Sequence, residues 1–238
     1  MRNPSKIAVS LTATNSSELS QQLAKLAQAQ LRHPLLVEWR LDYWQNWSNL
    51  LRGYQLLRQQ ILPQQLIITL RTKVAGGQLN LTTTAYQERL LQWLPQLSAA
   101  YWDVQWLPTM TEFSQQLRQL AGNRQRFIWS CHGLVAKSYL QNLTILRKMA
   151  TTAAPTDYLK LAVVSRNNAD TLALLTATWQ AYHELSQPLI TMAMGASGQS
   201  SRIIGPLFGS QVSFGALTAT GSAPGQLPLH QLDQILLD

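Results

Sequence analysis

Eight times along its length the chain passes from a short apolar run to a longer segment with helical spacing, and this alternation constrains the fold more than any other feature. Residues 6–12, 35–43, 65–72, 101–107, 126–134, 157–164, 188–194 and 211–219 read as strands, being short and rich in β-branched and aromatic residues. The segments 17–31, 47–60, 85–97, 111–121, 138–152, 168–185, 200–209 and 227–237 repeat leucine and alanine at helical intervals, most weakly in 200–209. A strand that must pass through a helix before the next strand builds a parallel sheet with crossovers. Eight such units in 238 residues match a (β/α)8 TIM barrel. A doubly wound open sheet is the alternative, but no G-x-G-x-x-G follows the first strand. No linker, repeat or low-complexity tract interrupts the rhythm, so residues 1–238 are expected to form a single domain.

Apolar residues make up 46% of the chain, enough for a large core, whereas charged residues make up only 13%. The shortfall lies in the acids: 11 Asp and Glu stand against 19 Lys and Arg, a net charge of +8. Glutamine-rich pieces such as RQQILPQQ and SQQLRQL occupy surface positions where glutamate is common. A basic chain invites a nucleic-acid reading. The arginines are scattered singly, however, and no zinc-finger or RNA-binding signature is present, so a basic surface or an anionic substrate is expected instead. The single cysteine, Cys131, suits a reducing cytosol. The apolar stretch near the start is too short for a signal peptide, and no segment reaches membrane-spanning length. A cytoplasmic protein with neither a nucleic-acid nor a membrane partner is expected.

In DYLKLAVVS, residues 157–165, Lys160 interrupts an apolar strand, where its ammonium must give up hydration. The bland account is a stem that packs and an amine that escapes to water. The chemical account is a desolvated amine that acts as a nucleophile toward carbonyls. The other strand ends favour chemistry. Glu38, Arg40 and Asp42 alternate at the end of strand two, Arg71 ends strand three, His132 ends strand five, and Arg202 follows strand seven. Active sites of these barrels lie at the C-terminal ends of the strands. Lys160 beside Arg40, Arg71 and Arg202 would be driven toward its neutral form, and His132 would shuttle protons. The arginines suit a carboxylate or phosphate, and Glu38 and Asp42 suit hydroxyl groups. The sum is a lyase or aldolase acting on a polyhydroxylated keto acid through a Schiff base. Cys131 faces away from its neighbour His132 by strand alternation and belongs to the core. GASGQSS, residues 195–201, lacks both a P-loop lysine and the last glycine of a serine-hydrolase elbow. His33, His183 and His230 lack metal-ligand spacing, so no metal site is expected.

The pieces EWRLD, TLRT followed by GGQ, SCHGL, DYLKLAV, TMAMG with SSR, FGS and SAPGQ stand in one order between Val9 and Leu227. In that order and spacing the chain resembles the type I 3-dehydroquinate dehydratases, the Schiff-base enzymes of the shikimate pathway. The resemblance implies a (β/α)8 barrel, a homodimer, no cofactor or metal, and syn dehydration of 3-dehydroquinate to 3-dehydroshikimate. It makes Lys160 the imine-forming lysine, His132 the general acid/base and Arg202 the carboxylate holder. Glu38, Arg40 and Arg71 would surround the substrate hydroxyls, Ser222 and Gln226 would close over the ligand, and Ser10, Met192 and Met194 would line the site. Two positions depart from the pattern. Relatives usually place a glutamate, as partner to the histidine, where this chain has Ala75, and a D-x-E pair where it has Asp103 and Gln105. An impaired homologue that binds a shikimate-like keto acid without efficient turnover is the competing expectation.

Overall fold

Each expected strand forms. In the computed structural model, which describes residues 5–122, 125–218 and 221–237, they are β1 (Lys6–Leu11), β2 (Leu35–Arg40), β3 (Leu66–Thr69), β4 (Tyr101–Gln105), β5 (Arg126–Gly133), β6 (Tyr158–Val164), β7 (Leu189–Met194) and β8 (Val212–Gly215). All pairings are parallel, in the order β7-β6-β5-β4-β3-β2-β1-β8, so the sheet wraps round until its last strand lies beside its first. Both faces of such a sheet are buried, which is why its strands read as nearly continuous apolar runs. Inward-facing Ala8, Leu36, Ile67, Ile128, Ile190 and Val212 pack with one another inside the barrel. Their outward-facing neighbours, among them Val9, Trp39, Ile68 and Trp129, form the larger core under the helices.

No regular ladder joins β7 to β8. A single bridge between Leu189 and Ser210 spans the seam. There the Gln211 amide donates to the Leu189 carbonyl (2.8 Å), and the Thr191 amide donates to Ser210 Oγ (3.0 Å). The barrel is therefore nearly closed, with a side chain completing the ring.

The helices are α1 (Ser16–Ala27), α2 (Leu50–Arg58), α3 (Thr83–Trp93), α4 (Thr111–Ala121), α5 (Tyr139–Ala150), α6 (Asn168–Glu184), α7 (Gln199–Ile204) and α8 (Leu229–Ile235). Side chains of Asn15, Ser138 and Asn167 accept the free amides that open α1, α5 and α6. In α1, Leu19, Leu23 and Leu26 bury the one face that their spacing defines. Two ends differ from the sequence reading because of proline. The helix expected over 85–97 stops at Trp93 before Pro95, and the one over 200–209 turns into a 3-10 segment (Gly205–Phe208) at Pro206. Strand two ends at Arg40, where a 3-10 turn (Leu41–Tyr43) begins, rather than at residue 43. Strand eight ends at Gly215; residue 219, its expected last position, lies outside the described residues. Among the described residues, no helix is long and apolar enough to cross a membrane.

Candidate active site

At the C-terminal ends of the strands a cavity of about 410 Å³ opens, lined by Glu38, Arg40, Arg71, His132, Lys160, Met192, Met194, Ser222 and Gln226, all expected from the sequence. Ser10 and Arg202 stand behind this surface. Ser10 donates to Glu38 Oε2 and accepts from Ser222 Oγ (3.0 Å), so it ties β1 to the segment that follows β8. Arg202, on α7, is fully buried and donates to the Pro224 carbonyl (3.3 Å) and weakly to Met192 Sδ (3.7 Å). Asp42 does not face the cavity, contrary to expectation. The 3-10 turn after β2 swings it back, where it takes a bidentate hydrogen bond from Arg40 (2.7 and 2.8 Å) and another from the Gln78 amide (3.1 Å).

Lys160 rises from the middle of β6 and is 2% exposed. The sequence suggested a neighbourhood of cations; carboxylates are in fact its closest charges. Its Nζ donates to Asp103 Oδ2 (2.7 Å) and lies 3.5 Å from Glu38 Oε1. A buried ammonium requires such counter-charges, since desolvation would otherwise cost several kcal/mol. The Phe214 ring covers it, with Nζ 4.2 Å from the ring centroid. Asp103 also accepts from Arg71 (2.9 Å) and Ser130 Oγ (2.6 Å), and Glu38 accepts from Thr69 Oγ1 (2.8 Å). Although desolvation opposes it, the Lys160 and Arg71 charges hold the Asp103 carboxyl far below its ordinary range; Lys160 and Arg40 lower Glu38 as well, also against desolvation. Asp103, Thr69, Ser130 and Phe214 were not singled out as site residues from sequence. The alternation in YWDVQ puts Asp103 on the same inward face as Gln105, and that was the one available signal.

Ser130 is level with Lys160 across the β5–β6 ladder, so His132, two residues on, stands one inward step above the amine. Its Nδ1 is buried and unpartnered. Desolvation first, then the Arg71 and Lys160 charges, push its pKa well below the ordinary imidazole value. Burial with no carboxylate at hand lowers the Arg202 guanidinium to about 10. Arg71 Nε and Arg202 Nε are likewise buried without partners. Native interiors rarely leave such groups unmatched. Two of them on residues that line one cavity, with Arg202 directly behind its wall, suit an anionic, hydroxylated molecule.

The turn after β3 positions one wall. Gly76 adopts a left-handed φ of 80°, and a Cβ on Gly77 would lie 2.2 Å from the Arg71 carbonyl oxygen. The paired glycines thus press the turn onto Arg71 rather than loosen it. Gln105 accepts from the Thr72 amide (2.6 Å), so this departure from the D-x-E pattern serves to anchor the turn. Ala75 lines the cavity and offers His132 no partner.

A family model described as type I 3-dehydroquinase matches residues 7–237. The 3-dehydroquinate dehydratase of Latilactobacillus sakei is 37% identical over 205 residues, covering 84% of this chain and 82% of that protein. That of Lactiplantibacillus plantarum is 33% identical over 236 residues, covering 98% and 92%. Among solved structures, the type I 3-dehydroquinate dehydratase of Clostridium difficile, determined with covalently modified comenic acid, gives a TM-score of 0.85 at 27% identity, covering 99% of this chain and 92% of that one. The 3-dehydroquinate dehydratase of Geobacillus kaustophilus gives 0.85 at 25% identity, covering 98% and 90%.

Proposed function

The chain belongs to the type I 3-dehydroquinase family, and from that premise we propose that it dehydrates 3-dehydroquinate through an imine on Lys160, with His132 moving the protons. The observation that carries this reading is the buried amine in a cavity where His132 Nδ1 and Arg71 Nε are buried without partners. Lys160 Nζ adds to the C3 carbonyl carbon and water leaves, which gives a protonated imine. His132 removes a proton from C2, and the electron pair moves into the imine to form an enamine. The enamine then expels the C1 hydroxyl, which takes the proton from His132 and departs as water. Hydrolysis releases 3-dehydroshikimate and regenerates the amine. Asp103 and Glu38 hold the nitrogen before attack and face its positive charge afterwards.

The substrate carboxylate takes the position on Arg202 that the Pro224 carbonyl now occupies. Glu38, Arg40 and Arg71 meet the ring hydroxyls, Met192 and Met194 pack against the ring, and Ser222 and Gln226 close over it, linked to each other through a 3.1 Å hydrogen bond. The same reading carries a cytosolic setting and a two-copy assembly, the latter checked by light scattering on the purified chain. Borohydride reduction in the presence of 3-dehydroquinate, followed by intact mass, tests the chemistry. A stable adduct that maps to Lys160 and vanishes in Lys160→Met is expected. Binding without any adduct would instead indicate a homologue that holds the keto acid and does not turn it over.

A further inference from the structure

The opposite end of the barrel holds a second, larger cavity of about 570 Å³. Its residues come from strand starts: Lys6 opens β1, Arg126 opens β5, and Tyr158 opens β6 beside Tyr101 of β4. The two tyrosines are buried and meet edge to face, with centroids 5.3 Å apart and planes at 70°, and form the floor. Lys6 and Arg126 approach from opposite sides of the eight-stranded ring. Neither has an ion-pair or side-chain hydrogen-bond partner among the described residues, and no Asp or Glu lines the cavity. What sets the pair apart is its placement: both head the inward-facing positions of their strands, at the mouth of one cavity with an aromatic floor.

We propose that this N-terminal mouth is a binding site for a small aromatic carboxylate. Its charge sits between Lys6 and Arg126, and its ring lies on the Tyr101–Tyr158 floor. Two unopposed cations select an anion, and the tyrosine rings offer a planar body the offset or edge contacts that aromatic pairs favour. The Gln211 side chain, whose Oε1 accepts from Tyr158 Oη (3.4 Å), retains its amide hydrogens for a ring hydroxyl. The site shares no residue with the catalytic cavity, so it stands whatever becomes of the imine mechanism.

Calorimetric titration of the full chain with benzoate, 4-hydroxybenzoate, cyclohexanecarboxylate and inorganic phosphate tests the proposal. Benzoate and 4-hydroxybenzoate are expected to bind one per chain. Lys6→Ala with Arg126→Ala should weaken both at least tenfold while leaving turnover of 3-dehydroquinate and the melting temperature unchanged, because both side chains lie on the rim. Arg202→Met should leave this binding intact. No benzoate binding at millimolar concentration, or binding that survives the double substitution, or loss of it in Arg202→Met, overturns the site. Equal affinity for cyclohexanecarboxylate or phosphate overturns the aromatic assignment.

Discussion

A lysine within an apolar strand raised the question of chemistry, because burial of an ammonium is costly, and the charged residues at the other strand ends favoured a reactive amine over a packed stem. What the sequence could not convey was the counter-charge. One aspartate in a strand looks the same whether it faces solvent, a helix or an amine, and only the barrel's curvature brings Asp103 from β4 onto Lys160 of β6. The pairing sets the cost of removing the amine. Lys160→Met should abolish imine formation and also lower stability by about 1–3 kcal/mol, less than a stranded charge would, since Arg71 and Ser130 remain on Asp103. Denaturant midpoints of the two proteins check it. Arg202 behaves in the opposite way. Its burial without a carboxylate opposes folding, so Arg202→Met should raise KM for 3-dehydroquinate by ~30- to 900-fold, equivalent to about 2–4 kcal/mol, with no loss of melting temperature. His132 gives a pH signature. Its folded pKa lies below the unfolded value of about 6.5, so the unfolded chain takes up the proton first and stability falls as pH drops below that value. His132→Gln removes this titration, so the variant should gain relative to the parent between pH 7 and pH 5. A constant difference in unfolding free energy across that range would show that the ring is not held neutral.

At the scale of elements, strands and helices were legible because each has a period, but the helical period ran on past the ends that Pro95 and Pro206 impose. The turns were not. Nothing in the letters shows that the chain bends after Arg40 and takes Asp42 out of the site, or that the glycines at 76 and 77 are there for a close approach rather than for freedom. Gly77→Ala tests that approach. The added carbon meets the Arg71 backbone, so the turn must shift. About 1–3 kcal/mol of stability should be lost and kcat should fall at least tenfold as Arg71 moves, which crystallography and kinetics of the variant would reveal. Ala75→Glu tests the other side of the same turn. A carboxylate facing His132 would orient the ring and favour its protonated form, so kcat should rise and the acidic limb of its pH profile should move upward. A folded variant in which neither changes would mean that the imidazole is not what limits the rate.

For the molecule as a whole, the excess of basic charge set by composition remains on the surface. The buried acids Glu38, Asp42, Asp103, Asp157 and Asp233 are nearly balanced by the buried cations Arg40, Arg71, Lys160 and Arg202, so burial does little to the excess. The ring closure is also a property of the whole. Ser210→Ala should strand the buried Thr191 amide at a cost of about 1–3 kcal/mol and speed hydrogen exchange there well above that of the β5–β6 ladder, as amide exchange followed by NMR would show. The seam has a further consequence for the order in which the protein comes into being during synthesis. Seven strands leave the ribosome before β8, which must take its place between β7, to which it is joined through little more than Ser210 and Gln211, and β1, the first strand made. That last segment also supplies the ring over Lys160 and the cover formed by Ser222 and Gln226. A nascent chain halted after β7 would carry Lys160, His132, Asp103 and Glu38 without that ring or cover, so it is expected to be inert until the step that closes the barrel also completes the cavity.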